Sequence, residues 1–408
     1  MKKILNSINF WISSVGRSFA REWSLVLKDI GVLLFFVALP LFYPIAYTLI
    51  YNTEVVEQLP VAVVDNCRTA KSREFVRQAS AAPAIKIYGY ADDLAQARRL
   101  VHSGDVYGVL VIPRDYAKNL GSGQQADVEF YADMSLLLRY RALLSALTEL
   151  QIKITGDVTM SRVEQAGAAG TISMPINSSS NFLGDTEQGF ASFIMPGIVI
   201  LILQQSMLLG ITFIGGTSRE RRLRNGGVDP LRPDNMPVSA DIWGRALCYT
   251  VFYLPMTLYV VKVIPEMFSL PHYGSAVDYL PFLLPMLIAT AFLGQALTWF
   301  IKERETPFLV IVFTSVVFLF LSGLTWPRYA MSQVWYWAGN LVPATWGIEG
   351  FIRINSNAAT LAESSRPFIA MWILSAIYFI AAWVVVAAIR RRARRQSAVA
   401  VPVTDRPD

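Results

Sequence analysis

The sequence predicts a polytopic α-helical membrane protein: six transmembrane helices, with an extracytoplasmic α/β domain inserted between the first and second spans. Three observations predict it. The 408 residues are 54% hydrophobic and only 16% charged, with a positive mean hydropathy, whereas soluble chains carry about a quarter charged residues. Long uncharged runs end in clusters of Lys and Arg, which mark cytoplasmic span ends because such residues resist translocation. A polar stretch in the N-terminal half alternates strand and helix patterns, the mark of an α/β fold.

The run ASFIMPGIVILILQQSMLLGITFIGG, from Ala191, carries no formal charge and then meets TSRERRLRNGG. It is long enough to cross a hydrocarbon core of about 30 Å as a helix. Arg219, Arg221, Arg222 and Arg224 against the single acid Glu220 place its far end in the cytoplasm. That end sets the sidedness of every other segment.

Residues 1–30 begin with Lys2 and Lys3, but Asn6, Ser7, Asn9, Ser13, Ser14 and Arg17 interrupt any signal-peptide core. Ile8, Trp11, Ile12, Val15, Phe19, Trp23, Val26 and Ile30 recur at helical steps, with Ser13, Arg17, Arg21 and Lys28 elsewhere around the wheel. This is an amphipathic helix for the inner leaflet; the competing reading is a simple extension of the first span. Residues 31–51 are that span, bent by Pro40 and Pro44, with Tyr43, Tyr47 and Tyr51 along one face.

Residues 52–190 form the water-facing portion. VAVVDN (Val61–Asn66) reads as a buried strand, Ser72–Ala82 as a helix, Ile85–Tyr90 as a strand and Asp92–His102 as a helix. VYGVLVIP (Val106–Pro113) and ADVEFYAD (Ala126–Asp133) read as two further strands. Strand–helix–strand alternation predicts a sheet that is at least partly parallel. Met134–Gln165 reads as a long helix, and Ala166–Asn181 as a Gly/Ser/Asn-rich linker.

The remaining spans fall at about 191–216, 245–264, 279–301, 307–326 and 368–389, followed by a basic tail at 390–408. KERET (Lys302–Thr306) is a tight inner turn, and the Trp- and Tyr-rich segment from Trp326 to Trp346 belongs at the outer interface. With both termini inside, Lys2, Lys3, Arg17, Arg21, Lys28, Arg219–Arg224, Arg232, Arg245, Lys302, Arg304 and Arg390–Arg395 are cytoplasmic. The short outer segments keep only Lys262, Arg328, Arg353 and Arg366, so every loop obeys the positive-inside bias.

Several function classes are disfavoured. The basic residues sit beside spans, which argues against nucleic acid and for anchoring, with membrane lipid as a partner. Cys67 and Cys248 fall on opposite sides in this topology, and His102 and His272 lie without clustered ligands, so neither a disulfide framework nor a metal site is expected. No cofactor motif is present. There is no G-x-x-x-x-G-K-[ST] loop, so ATP hydrolysis is expected in a separate chain and not in this one. The middles of the spans lack ionisable residues, which disfavours ion-driven transport.

VAVVDN followed by KSREF (Lys71–Phe75), GVLVIPRDYAKNL (Gly108–Leu120) with GSGQQADVEFYAD, and FIMPGIVILILQQSMLLG running into TSRERR occur in this order. In that order and spacing the chain resembles the permease subunit of ABC-2 type exporters, in the subgroup with a large extracytoplasmic domain. The resemblance implies a bacterial inner-membrane protein working with a dimeric cytoplasmic ABC ATPase and with a second permease copy or a sister permease. A periplasmic adaptor is a further candidate partner. It implies outward movement of a hydrophobic or amphiphilic substrate such as a drug or lipid. The family's loop commonly continues with a Gly-Thr-led helix, whereas this chain reads RRLRNGGVDPLRPDNMPVS.

The resemblance assigns ATPase coupling to the N-terminal helix and the inner loops: Trp11, Phe19, Trp23, Arg219, Glu220, Arg221, Arg222, Lys302, Glu303 and Arg304. Polar residues within apolar spans mark candidates for a substrate path: Tyr43, Tyr47, Gln204, Gln205 and Gln295. Helix–helix hydrogen bonding is the competing role for the amides. The alternative function is a membrane-anchored receptor or adhesion protein acting through its outer domain, against which the number of spans speaks.

Overall fold

The computed structural model describes residues 2–51, 56–122, 124–165, 189–232 and 235–399. The chain divides into two compact units, Thr53–Asn181 and the remainder, Met1–Asn52 with Phe182–Asp408. The expected linker Ala166–Asn181 lies outside the described residues.

In the unit Thr53–Asn181, strand β1 (Leu59–Asp65) is central and buried on both faces, as a Val-rich run dictates. β2 (Ile85–Tyr90) and β3 (Gly108–Ile112) pair with it in parallel, and β4 (Glu129–Ala132) adds an antiparallel edge, in the order β2-β1-β3-β4. Side chains alternate across a strand. Val61, Val63, Leu110 and Ile112 therefore pack on one side with Val76 and Leu143, while Ala62, Val64, Val109 and Val111 pack on the other with Ala97. The crossover helices Ala70–Ser80 and Leu94–Ser103 begin at side-chain caps on Thr69 and Asp93. A short helix at Tyr116–Ser122 has no counterpart in the sequence reading. The long helix Leu137–Gln165 follows.

The other unit begins with α1 (Lys2–Lys28), which ends where the Asp29 carboxylate accepts the Gly31 N–H at 3.0 Å and caps α2 (Ile30–Ile50). Then come α3 (Phe190–Arg224), α4 (Val238–Met267), α5 (Ala276–Leu297), α6 (Thr306–Leu321), α7 (Gln333–Asn340), α8 (Pro343–Asn357) and α9 (Ser365–Val399). Among the described residues, five helices are long and apolar enough to cross a membrane: α2, α3, α4, α5 and α9. α3 is the axis of the unit, buried along Met195–Ile214 and packed by α2, α5, α6 and α8.

Element bounds differ from the sequence reading where backbone chemistry overrides hydropathy. α4 starts at Val238, ahead of Arg245, because polar Asp241 and Arg245 find partners inside the protein. α6 stops at Leu321, short of Trp326, because Gly323 adopts φ +90°, a helix-terminating conformation natural to glycine. Sixteen residues make a helix of about 24 Å. α9 continues through the basic run at Arg390 and not merely up to it.

α2 and α4 each contain a π-helical turn, at Leu34–Ala38 and Tyr259–Val263. Pro40 and Pro265 follow after one residue each, Leu39 and Ile264. A proline has no N–H for the carbonyl four residues back, so the backbone widens around Phe36 and Val261 instead of forming regular turns. The π-turn of α4 meets α2 just past the π-turn there: Tyr259 Oη donates to the Leu41 carbonyl at 3.2 Å.

Candidate functional site

The basic end of the helical unit is tied together by buried charge. α1 presents Ser14, Ser18, Glu22 and Val26, four residues apart and fully buried, to α4. The apolar residues Ile8, Trp11, Ile12 and Ile30 are instead exposed. The helix is thus amphipathic as its sequence indicates, but it also seals a small-polar stripe against protein. Gly244 makes the contact possible: a Cβ there would lie 2.5 Å from Ser18 Cβ and 2.6 Å from the Val15 carbonyl.

Three carboxylates hold the arrangement. Asp241 on α4 accepts from Ser18 Oγ at 2.8 Å, Arg21 at 2.5 Å and Arg390 at 2.7 Å, and from Arg245. Glu22 accepts from Arg232 and from the Tyr249 hydroxyl, all three side chains buried. Asp229 accepts from Ser218 Oγ at 2.5 Å, Arg221 Nε at 3.0 Å and the Leu231 N–H at 3.1 Å. Burial alone would raise the Asp229 pKa, but hydrogen bonds from Arg221 and Ser218 outweigh it and hold the carboxyl below its usual value. Burial also opposes the Arg232 charge, and Glu22 outweighs that, raising its pKa. These acids were not singled out in the sequence. The available signal was Glu22, the one acid between Met1 and Lys28: a carboxylate in an apolar, basic helix needs a partner.

The coupling candidates fall into groups. Trp11 Nε1 donates to Ser239 Oγ at 3.1 Å, and Phe19 stacks on Trp23, which meets Phe252 edge-on at 5.5 Å. Arg219 donates to the carbonyls of Trp299 and Ile301 at 3.3 and 2.9 Å, closing the end of α5. Glu220 accepts the Arg304 N–H at 2.7 Å, and Arg304 pairs with Asp29 at 2.7 Å while lying over Phe213. Arg221 turns to Asp229. Lys302 and Glu303 are exposed on the turn, whose backbone packs against Gly216. The structure thus brings Arg219, Glu220 and Arg304 together and directs them inward.

Between α3, α4, α5 and α9 lies a cavity of about 590 Å³. Arg219, Arg222, Arg232, Arg245, Lys302 and Arg392 line it, and no carboxylate of the described residues does.

The mid-helix candidates are dispersed. Gln204 Oε1 accepts the Ala344 N–H at 2.6 Å, satisfying a free donor at the start of α8. Gln295 Nε2 donates to the Ile242 carbonyl at 3.2 Å, joining α5 to α4. Both polar atoms of the Gln205 amide are buried without a hydrogen bond among the described residues. Tyr43 and Tyr47 are 4.9 Å apart between ring centroids, with Tyr43 exposed.

No curated protein matches the chain. Residues 30–384 match the family described as ABC-2 family transporter protein, a span that takes in α2 to α5 and, of the described helices long and apolar enough to cross a membrane, the last, α9, as far as Val384. The chain therefore belongs to the ABC-2 transporter family and is a multi-pass membrane component of an ABC transporter, a permease that is not itself catalytic.

Proposed function

We propose that the chain is the permease of an ATP-driven exporter of hydrophobic or amphiphilic substrates in the bacterial inner membrane. It crosses the bilayer six times, α6 being the fifth crossing, with both termini cytoplasmic and the Thr53–Asn181 unit outside. A separate dimeric ATPase docks against α1 and the turn at Lys302–Arg304, and a second permease chain completes the pathway. The observation that carries this reading is the bracing of α1 to α4 and α9 through Asp241 and to the loop after α3 through Glu22, a loop that Asp229 ties in turn to α3. A push on α1 is transmitted to three long helices because the contacts are buried ion pairs and not flexible side chains.

The paired π-turns in α2 and α4 support alternating access. They concentrate bending where the helices meet, at Tyr259 and Leu41. Gln205 and the Tyr43–Tyr47 face are the candidate substrate contacts. The Gln205 amide, without a hydrogen bond among the described residues, offers its N–H donors and its carbonyl acceptor to an amphiphile.

The test is ATP hydrolysis with purified components. The permease alone is inactive, and adding the partner ATPase in liposomes gives hydrolysis that transported substrate stimulates. Robust hydrolysis by the lone chain removes the proposal.

A further inference from the structure

The cavity at the basic end of the helices has a charge imbalance that the transporter reading leaves unused. Six cations line it and no described carboxylate does. The acids that meet Arg232 and Arg245 are already shared. Asp241 serves Arg21, Arg245 and Arg390 together, and Glu22 is engaged by Arg232 and Tyr249. Arg219 meets backbone carbonyls, and Arg392 lies 4.5 Å over the Trp299 ring. Such a pocket of one sign, walled by low-dielectric protein, concentrates anions. Guanidinium groups match phosphate oxygens in geometry as well as charge.

The same lining also carries apolar surface: Leu223, Trp299, Phe300, Val386 and Ile389. Cations interleaved with aliphatic and aromatic surface fit an amphiphile better than a bare ion.

We propose that this cavity binds a phosphate ester, with its anionic group against Arg219, Lys302 and Arg392 and any hydrocarbon remainder against Trp299, Val386 and Ile389. The source is an anionic phospholipid headgroup or a water-soluble phosphate. The site is independent of the exporter reading and of which face of the membrane it occupies.

The experiment is thermal unfolding of the full-length protein in three backgrounds: phosphatidylglycerol nanodiscs, phosphatidylcholine nanodiscs, and lipid-depleted detergent with inorganic phosphate or chloride at equal ionic strength. Lys302→Gln with Arg392→Gln removes two exposed lining charges. Arg224→Gln with Arg391→Gln removes two exposed charges outside the cavity. Phosphatidylglycerol raises the melting temperature over phosphatidylcholine in the wild type. The lining pair loses that rise, with apparent lipid affinity falling about tenfold, while the control pair keeps it. A rise with inorganic phosphate over chloride that matches the lipid effect, lost in the same pair, assigns the soluble source. Equal melting in all backgrounds overturns the site and leaves an acidic segment of a partner protein as occupant. Equal loss in both variant pairs also overturns it, since diffuse attraction to the basic surface then explains the binding.

Discussion

Arg232 and Glu22 form an ion pair with side chains 5% and 0% exposed, joining the loop after α3 to the N-terminal helix across 210 residues of sequence. Neither charge has water to solvate it, so each depends on the other. Glu22→Ala or Arg232→Ala alone is expected to destabilise by about 3–5 kcal/mol, because one buried charge is left uncompensated. The double variant Glu22→Leu with Arg232→Met recovers part of that loss. Thermal unfolding in detergent reads both. Additive losses in the double variant would mean that the two residues do not act as a pair.

The Asp229 carboxylate gives a pH dependence of known sign. Its pKa is lowered in the folded protein by Arg221 and Ser218. Its contribution is complete above the unfolded carboxylate value of about 3.9 and fades as pH falls toward the lower folded value. The stability difference between wild type and Asp229→Asn is therefore expected to be constant near neutral pH and to shrink below about pH 4. Melting temperatures of both proteins across that range check it. A difference that grows on acidification contradicts the assignment.

What the sequence conveyed and what it withheld divide along physical lines. The strands of the α/β unit were legible because Val61–Val64 and Val109–Ile112 carry the pattern of a doubly covered sheet within a few residues. The long helices were legible because each carries an uncharged run of bilayer-spanning length. The burial of Ser14, Ser18 and Glu22 was not, because it depends on Gly244 and Asp241, more than two hundred residues away. Hydrophobic periodicity names the face that meets lipid and is silent about a polar face that meets protein. Pro40 announces a bend in its span, whereas Pro265 falls just past the expected end of its own, and the π-turns that precede both are visible only in the backbone. The charges at Arg219, Glu220 and Arg304 were visible beside the apolar runs. That Arg219 and Glu220 turn to Ile301 and Arg304 requires knowing that the end of α5 lies beside α3.

The close approach at Gly244 predicts a steric effect separable from charge. Gly244→Val places methyl groups where Ser18 Cβ and the Val15 carbonyl already sit. Overpacking of this kind costs about 1–3 kcal/mol. α1 is expected to loosen from α4 while the long helices stay folded. Limited proteolysis then cuts within residues 1–28 at a faster rate than in the wild type. Unchanged proteolysis would show that α1 shifts to accommodate the side chain without detaching.

Glu303 separates partner docking from folding. Its side chain is exposed on the turn between α5 and α6, while its backbone carbonyl packs against α3 at Gly216. Glu303→Lys keeps that backbone contact and reverses one surface charge, so stability is expected to change by no more than about 0.5 kcal/mol. If the turn docks the ATPase, the same substitution weakens association about tenfold, equivalent to ~1.4 kcal/mol. Arg219→Gln behaves differently, because it strips donors from the Trp299 and Ile301 carbonyls and lowers the melting temperature as well. The comparison needs ATPase titrations against each variant in liposomes and a melting curve for each. Glu303→Lys with full partner affinity would place the docking surface elsewhere, whereas a fall in its melting temperature would assign the turn a structural role.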